Sequence, residues 1–207
     1  IIFTERLNEE LFTNDDKWYV SDTVSYLGYK YIISKGHEQY LGMCDIIGID
    51  PAVVEANQLS SGGAQYIIKN SDSSFWLKVY SDSNTLYKYL DNNEKLNKQI
   101  PLNDYLIQKW CAEMWATLWN IWLHDTETVV HSELNFCFAT SPIQEMDKCK
   151  IFHNAGVTEK ESNEMFFKGK YIYSNPLEFL DDMNVSDKFA SWVYFQNLKD
   201  LRESLKK

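Results

Sequence analysis

The sequence predicts an α/β chain with a mixed sheet and flanking helices, and three observations carry that expectation. Apolar residues recur at three- and four-residue steps in several windows, which marks amphipathic helices. Short runs rich in Val, Ile, Tyr and Phe stand between them, bounded by Gly, Ser, Asn and Asp, which marks strands. The two kinds alternate, but not as strict strand–helix–strand units, so a mixed sheet is expected rather than an all-parallel one. With 207 residues the chain is long enough for one domain and short for two, so residues 1–207 read as a single domain.

In chain order, Ile1–Phe3 reads as the end of a strand and Trp18–Val20 as a short strand running into the polar Ser21-Asp22-Thr23. Gly36 to Ile47 has helical spacing, with Tyr40, Leu41, Cys44 and Ile47 on one stripe and Gly48 as its stop. Pro51 opens a short helix through Asn57. Ser60-Ser61-Gly62-Gly63 is a turn cluster leading into a strand at Gln65–Lys69. Ser71 and Asp72 cap a helix to about Leu90, whose buried face would be Phe75, Trp76, Val79, Leu86 and Tyr87.

The most apolar helix is expected from Asn103 or Asp104, just after Pro101, to His124, with Trp110, Met114, Trp115, Leu118, Trp119 and Trp122 at helical steps. Glu127–His131, Leu134–Phe138 and Lys150–His153 read as strands, and Met165–Tyr173 as a strand pair or extended arm. Asp187–Leu205 reads as a final helix anchored by Phe189, Trp192, Val193, Phe195 and Leu198.

Composition narrows the function classes. The net charge of −10 repels nucleic acid and anionic membrane, and no Lys/Arg cluster overrides it, so a nucleic-acid partner is disfavoured. Aromatic residues make up 15% of the chain, enough to fill a core and also to line a sugar- or base-binding cleft. Cys44, Cys111, Cys137 and Cys149 form no C-x-x-C pair, which argues for free thiols and a cytoplasmic or otherwise reducing compartment. No window holds the run of about 18 apolar residues that a membrane span needs. Walker, G-x-G-x-x-G, G-x-S-x-G and H-E-x-x-H patterns are all absent.

Three features could carry chemistry. Gly62-Gly63 allows close backbone approach to a ligand, or simply a turn. Glu113 sits in the nearly all-apolar Trp110-Cys-Ala-Glu-Met-Trp115, either on a narrow polar face with Lys109 and Asn120 or aimed into a cleft. His153 ends an apolar run before an Asn-Ala-Gly turn, placed as a metal ligand, an acid/base group or a structural imidazole. His124 and His131 flank a turn and read as surface groups.

The order of these pieces resembles GT-A glycosyltransferases, most closely the group with plant hydroxyproline O-arabinosyltransferases and peptidyl-serine galactosyltransferases. The residues that carry the resemblance are Ile2-Phe3-Thr-Glu-Arg-Leu7, Ser61-Gly62-Gly63-Ala64-Gln65-Tyr66-Ile67-Ile68, Ala112-Glu113-Met114-Trp115-Ala116, Ile151-Phe152-His153 and Phe166-Phe167-Lys168-Gly169-Lys170-Tyr171. The resemblance implies a GT-A-like mixed sheet and transfer of sugar from a nucleotide-sugar to a hydroxyl acceptor on a glycan or peptide. His153 would bind Mn²⁺ or Mg²⁺ with the donor diphosphate, and Lys168 or Lys170 would meet that diphosphate. Gly62, Gly63 and Gln65 would line the donor, and Glu113 would face the acceptor.

Met114 stands where the family often has a second acid, which points Glu113 to orienting the acceptor. The nucleotide-binding half and its D-x-D carboxylates would precede Ile1, and a membrane anchor could precede them too. Asp15-Asp16 is no substitute, because it lies in a polar loop before Lys17. The 207 residues alone would then be inactive. The alternative from a different class is a non-catalytic carbohydrate- or protein-binding module using the aromatic residues.

Overall fold

The computed structural model describes residues 1–13, 15–97 and 106–206. Among them 56% are helical and 12% lie in strands, so helices carry most of the mass around small mixed sheets. The strands are β1 (Ile2–Phe3), β2 (Trp18–Asp22), β3 (Gly62–Ile67), β4 (Thr128–Val130), β5 (Phe136–Phe138) and β6 (Ile151–His153). The α-helices are α1 (Val24–Leu27), α2 (Tyr29–Ser34), α3 (His37–Ile47), α4 (Pro51–Ala56), α5 (Ser73–Asn97), α6 (Ala112–Leu123) and α7 (Ser191–Ser204). The chain forms two compact units: a central unit of Glu9–Ser132, and a terminal unit in which Ile1–Asn8 joins Glu133–Lys207. Each is described by itself.

In the central unit β2 is the middle strand, antiparallel to β3 and parallel to β4. The β2–β3 register shifts between Val20 and Asp22. There the buried Ser21 hydroxyl donates to the Gly63 carbonyl and accepts from the Gln65 amide at 3.3 Å. One side chain thus serves backbone groups that the bulge has taken out of register. A Cβ at Gly62 would run into Val20 and the Ser21 carbonyl. Gly62 and Gly63 therefore stand inside β3, Gly62 crowded by β2 and Gly63 by Tyr66, Leu27 and Met114, and not in a turn before it. Ala64 holds a positive φ of 67°, a conformation that costs a non-glycine residue.

Helices α1 and α2 stand where the sequence predicts no element, and sequence and structure agree on α3 and α4. In α3, Tyr40, Met43, Cys44 and Ile47 are buried at helical steps, while Leu41 is exposed. The helix stops at Gly48, whose φ of 79° suits glycine. Asp50 caps α4 by accepting from the Ala52 amide at 2.9 Å, with Pro51 in the first turn. Asp72 caps α5 by accepting from the Phe75 amide at 2.9 Å. Phe75, Val79, Leu86 and Leu90 form the buried face of α5. Trp76 and Tyr87, expected on that face, are 40% and 45% exposed, because they lie one step round the helix from it.

The Trp-rich helix starts later than its periodicity predicts. The Asn103/Asp104 start lies outside the described residues, but 106–108 are not helical, Lys109–Cys111 is a 3-10 turn, and α6 begins at Ala112. Ile107 and Cys111 are buried, so the apolar stripe continues across a boundary that the backbone breaks. Trp115 and Trp119 are fully buried. The Trp115 indole donates to the Leu27 carbonyl at 3.1 Å, and the Trp122 indole donates to the Thr128 hydroxyl at 2.9 Å. Asn120, expected on a polar face, is fully buried and donates to the Asp82 carboxylate at 2.7 Å. Asp82 also takes Lys78 at 2.7 Å, and Lys78 reaches the Ile47 carbonyl at 3.0 Å. This relay ties α3, α5 and α6 together through one oxygen of a buried carboxylate that takes both an amide and an ammonium.

In the terminal unit β6 is the middle strand, antiparallel to β1 and parallel to β5. Most other elements are 3-10 turns: Ile143–Lys148, Glu159–Glu161, Lys168–Tyr171 and Pro176–Asp182. The segment Met165–Tyr173 is not a strand pair. Met165 and Phe166 are buried, the chain then turns through Lys168–Tyr171, and the Phe166 and Tyr171 rings stack at 5.5 Å. The last helix begins at Ser191 rather than Asp187. Its expected first turn pairs elsewhere: the Lys188 carbonyl accepts from the Ile143 amide at 2.9 Å, and the Ala190 amide donates to Ser141 at 2.8 Å. Phe195 is buried among Phe166, Leu180 and Val185, with Trp192 and Leu198 partly covering them.

Candidate functional site

The end of the central sheet that carries the start of β2 and the end of β3 opens into a cleft of about 310 Å³. Antiparallel pairing puts those two strand ends side by side. Asp16 and Trp18 come from the entry to β2, and Lys69, Asn70, Ser71 and Asp72 from the exit of β3. Phe75 comes from the first turn of α5, and Ile121, His124 and Thr126 from the end of α6 and the loop to β4. Trp18, Phe75 and Ile121 are buried and form an apolar floor. The Trp18 and Phe75 rings meet edge to face at 5.2 Å, and the His124 ring lies 5.7 Å from Phe75.

The rim is polar and largely fixed. The Lys69 ammonium donates to the Asp15 carboxylate at 2.9 Å and to its carbonyl at 2.6 Å, and lies 5.1 Å from the Tyr19 ring. Asp15 also accepts from the Tyr19 hydroxyl at 2.7 Å and the Lys17 amide at 3.1 Å. The Tyr19 and Lys69 hydrogen bonds hold the Asp15 carboxyl down at about 2. Asp72 is lowered too, first by the Phe75 amide and then by the Ser74 hydroxyl, with His124 adding a smaller part. Asn70 takes a φ of 52°, which asparagine tolerates better than most residues, and presents its side chain beside Asp16. Asp16, Asn70, Ser71, His124 and Thr126 also line the cleft; the Asn70 amide lies 3.5 Å from the Asp16 carboxylate, the Ser71 hydroxyl accepts from the Trp76 indole at 3.1 Å, and the Thr126 hydroxyl donates to the His124 carbonyl at 3.2 Å, so a ligand would share or exchange these bonds. With Asp16 and Asp72 set against Lys69, whose charge Asp15 already meets, the rim favours a neutral or cationic ligand over a diphosphate.

The residues singled out from the sequence fall into both units. In the central unit Gly62, Gly63 and Gln65 are buried, and Glu113 is exposed in the first turn of α6, where a carboxylate suits the helix dipole. Lys109 pairs with Asp91 at 2.6 Å and Glu94 at 2.7 Å. Gly63 packs against the Tyr66 hydroxyl, and a Cβ there would lie 2.6 Å from that oxygen. Burial, and after it the Glu113 charge, push the Tyr66 phenol up, and the same two causes raise the Cys111 thiol. Gly63, Tyr66 and Glu113 are therefore neighbours, but none of them lines the cleft.

In the terminal unit His153 lies 5.6 Å from the Phe136 ring and 6.0 Å from the Phe138 ring. Burial and then the Lys168 charge lower its pKa, so the imidazole is neutral at pH 7. Lys170 lines a separate cavity of about 170 Å³ with Phe166, Tyr171, Asn163 and Asp182. The resemblance gives His153 a divalent metal. Among the described residues no three His, Cys, Asp or Glu side chains stand together as a shell, and His153 has two rings and the Lys168 charge among its neighbours. His153 is the one protein donor that the resemblance places there, and no step is routed through a metal. Among the described residues, no helix is long and apolar enough to cross a membrane.

The cleft groups were within reach of sequence reasoning. Asp15-Asp16 immediately precedes one strand, and Lys69-Asn70-Ser71-Asp72 immediately follows another. Antiparallel pairing of those two strands alone would have brought the two polar tracts together. Compared with protein-family models, curated proteins and solved structures, the chain matches none.

Proposed function

We propose that the central unit binds a small polyhydroxylated, carbohydrate-like ligand in the cleft beside Asp16, Asn70 and His124. One observation carries this reading: a buried aromatic floor and a rim holding both acceptors and donors share one cleft of about 310 Å³. Each sugar hydroxyl both donates and accepts, so it needs carboxylate or amide oxygens next to N–H and O–H groups. The C–H face of the ring needs apolar surface, and small-molecule sites combine the two in this way. Titration calorimetry with neutral mono- and disaccharides tests the reading. Saturable binding is expected, weakened about tenfold by Asp16→Asn or Asn70→Ala, the worth of one hydrogen bond lost in a partly enclosed site. Absence of saturable binding by every sugar tried, or binding that neither substitution changes, overturns it.

A second reading is the glycosyltransferase of the resemblance. The observation that favours it is Lys168 standing close enough to His153 to shift its protonation, since that reading gives both residues to the donor diphosphate. Its test is nucleotide-sugar binding with and without Mn²⁺, in the parent chain and in His153→Ala. Affinity that is equal under all these conditions removes it, whatever the outcome for neutral sugars.

A further inference from the structure

We propose that Cys137 and Cys149 form a redox pair that closes into an intramolecular disulfide within the terminal unit. Cys137 lies on β5 and is almost fully buried. The chain after β5 passes through the 3-10 turn Ile143–Lys148 and comes back to Cys149 just before the parallel strand β6. That return places the two side chains together. The Cys137 thiol donates to the Glu145 carbonyl at 3.1 Å, next to the Met146 carbonyl that receives the Cys149 amide, so both cysteines are fastened to the same turn, close enough for Cys149 to shift the Cys137 thiol. The backbone at Cys149 is held from both sides. Its amide donates to Met146 at 3.2 Å, and its carbonyl accepts from the Thr4 hydroxyl at 3.1 Å. All four cysteines are free thiols. Cys44 and Cys111 are buried on the first and last of the packed elements α3 and Lys109–Cys111, and their sulfur contacts are Tyr40 and Gln108 rather than another thiol.

The chemistry assigns an order to the pair. Cys149 is the more exposed of the two, so its thiolate attacks one sulfur of a small disulfide such as oxidised glutathione and expels one glutathione thiolate. Burial first, and contact with Cys149 next, push the Cys137 thiol up to about 12, which makes it a poor first nucleophile. Held against the mixed disulfide, Cys137 sulfur then attacks Cys149 sulfur. The second glutathione leaves as thiolate and takes the Cys137 proton. Two protein thiols are oxidised, the added disulfide is reduced to two thiols, and the atoms balance. The bond would close the connection from β5 to β6 into a ring and restrict the unfolded chain.

The full chain is incubated with oxidised glutathione at mildly alkaline pH, then alkylated, digested and mapped. The expected result is a fall in alkylatable thiols from four to two, with one cross-linked peptide joining Cys137 to Cys149 and a higher thermal midpoint that returns on reduction. Cys137→Ser should trap a persistent glutathione adduct at Cys149, and Cys149→Ser should leave Cys137 unmodified. Four reactive thiols after prolonged exposure, or a cross-link joining any other pair, overturns the proposal. The peptide map of the parent chain decides this even where a variant fails to fold.

Discussion

Both units are built on the same plan of sheet: three strands, with the middle one parallel to one neighbour and antiparallel to the other. What surrounds the sheet differs. The central unit stacks long helices and buries Trp115, Trp119, Leu118 and Ile121 in one continuous core. The terminal unit joins its strands with 3-10 turns and has two small clusters, around Phe195 and around Phe152. A sheet of this size does not make a core by itself. Stability and a shaped cleft arise where helices supply the second layer.

The largest test of that contrast is a matched pair of core deletions. Trp115→Ala should cost roughly 3–5 kcal/mol, since the indole is fully enclosed and its N–H bond to Leu27 is lost as well. Phe195→Ala should cost less, about 2–3 kcal/mol, because the partly exposed Trp192 and Leu198 can close over the gap. Denaturant unfolding of each variant measures both, and equal losses would break the comparison.

A smaller effect is expected in the polar relay. Asp82→Ala removes one acceptor from the Asn120 amide and one from Lys78, which keep the Ala116 and Ile47 carbonyls, and should cost about 1–3 kcal/mol. Asp82→Asn keeps one acceptor and should cost less. If Asp82→Ala proves neutral, the relay contributes nothing and the helical layer rests on apolar packing alone.

Acid sensitivity is expected in both regions, since Glu161, Asp181 and Glu203 of the terminal unit are lowered too, and Asp15 carries the larger shift. Asp15 ionises at about 2 in the folded chain against an ordinary 3.8, so its contribution is complete above the unfolded value and is lost as pH falls from about 4 through 2. Asp72 is shifted in the same direction. Thermal melts of Asp15→Asn should therefore be lower than those of the parent near neutrality and converge with them toward pH 2. A difference that stays constant over that window would show that Asp15 acts by packing and not by charge.

The smallest expected change is at Ala64. Glycine there removes the cost of a positive φ but adds freedom to the unfolded chain, so Ala64→Gly should stabilise by at most about 1 kcal/mol. A clear loss on calorimetric melting would mean that the Ala64 methyl packs usefully.

The same contrast explains what could be read in advance. In the central unit the helix signals are local: Asp72 caps, Pro51 opens and Gly48 closes. Periodicity is also visible, but it reports which side chains are buried and not whether the backbone is helical. That is why the stripe through Ile107 and Cys111 hid the true start of α6. Close approach of β2 to Gly62 could not be seen, because turn glycines and crowded strand glycines look alike in one dimension. In the terminal unit a 3-10 turn such as Lys168–Tyr171 is too short to show a period. The cleft draws on four separate segments, so no single motif encodes it, and only strand pairing gathers Asp16 with Asn70.

The parallel pairing of β2 with β4 has a consequence in time. Lys17 and Glu127, which close that edge with a 2.9 Å ion pair, are 110 positions apart, whereas α5 ends at Asn97 and α6, packed against it, begins at Ala112. Closing the longer loop is entropically the dearer step, so the helices should associate before the sheet is complete. Thr126 and His124 lead into β4, and the cleft takes its shape only when that strand docks. Ligand binding followed during refolding should therefore lag behind recovery of helical circular dichroism. A binding signal that rises together with helicity would show that the cleft forms before the last strand arrives.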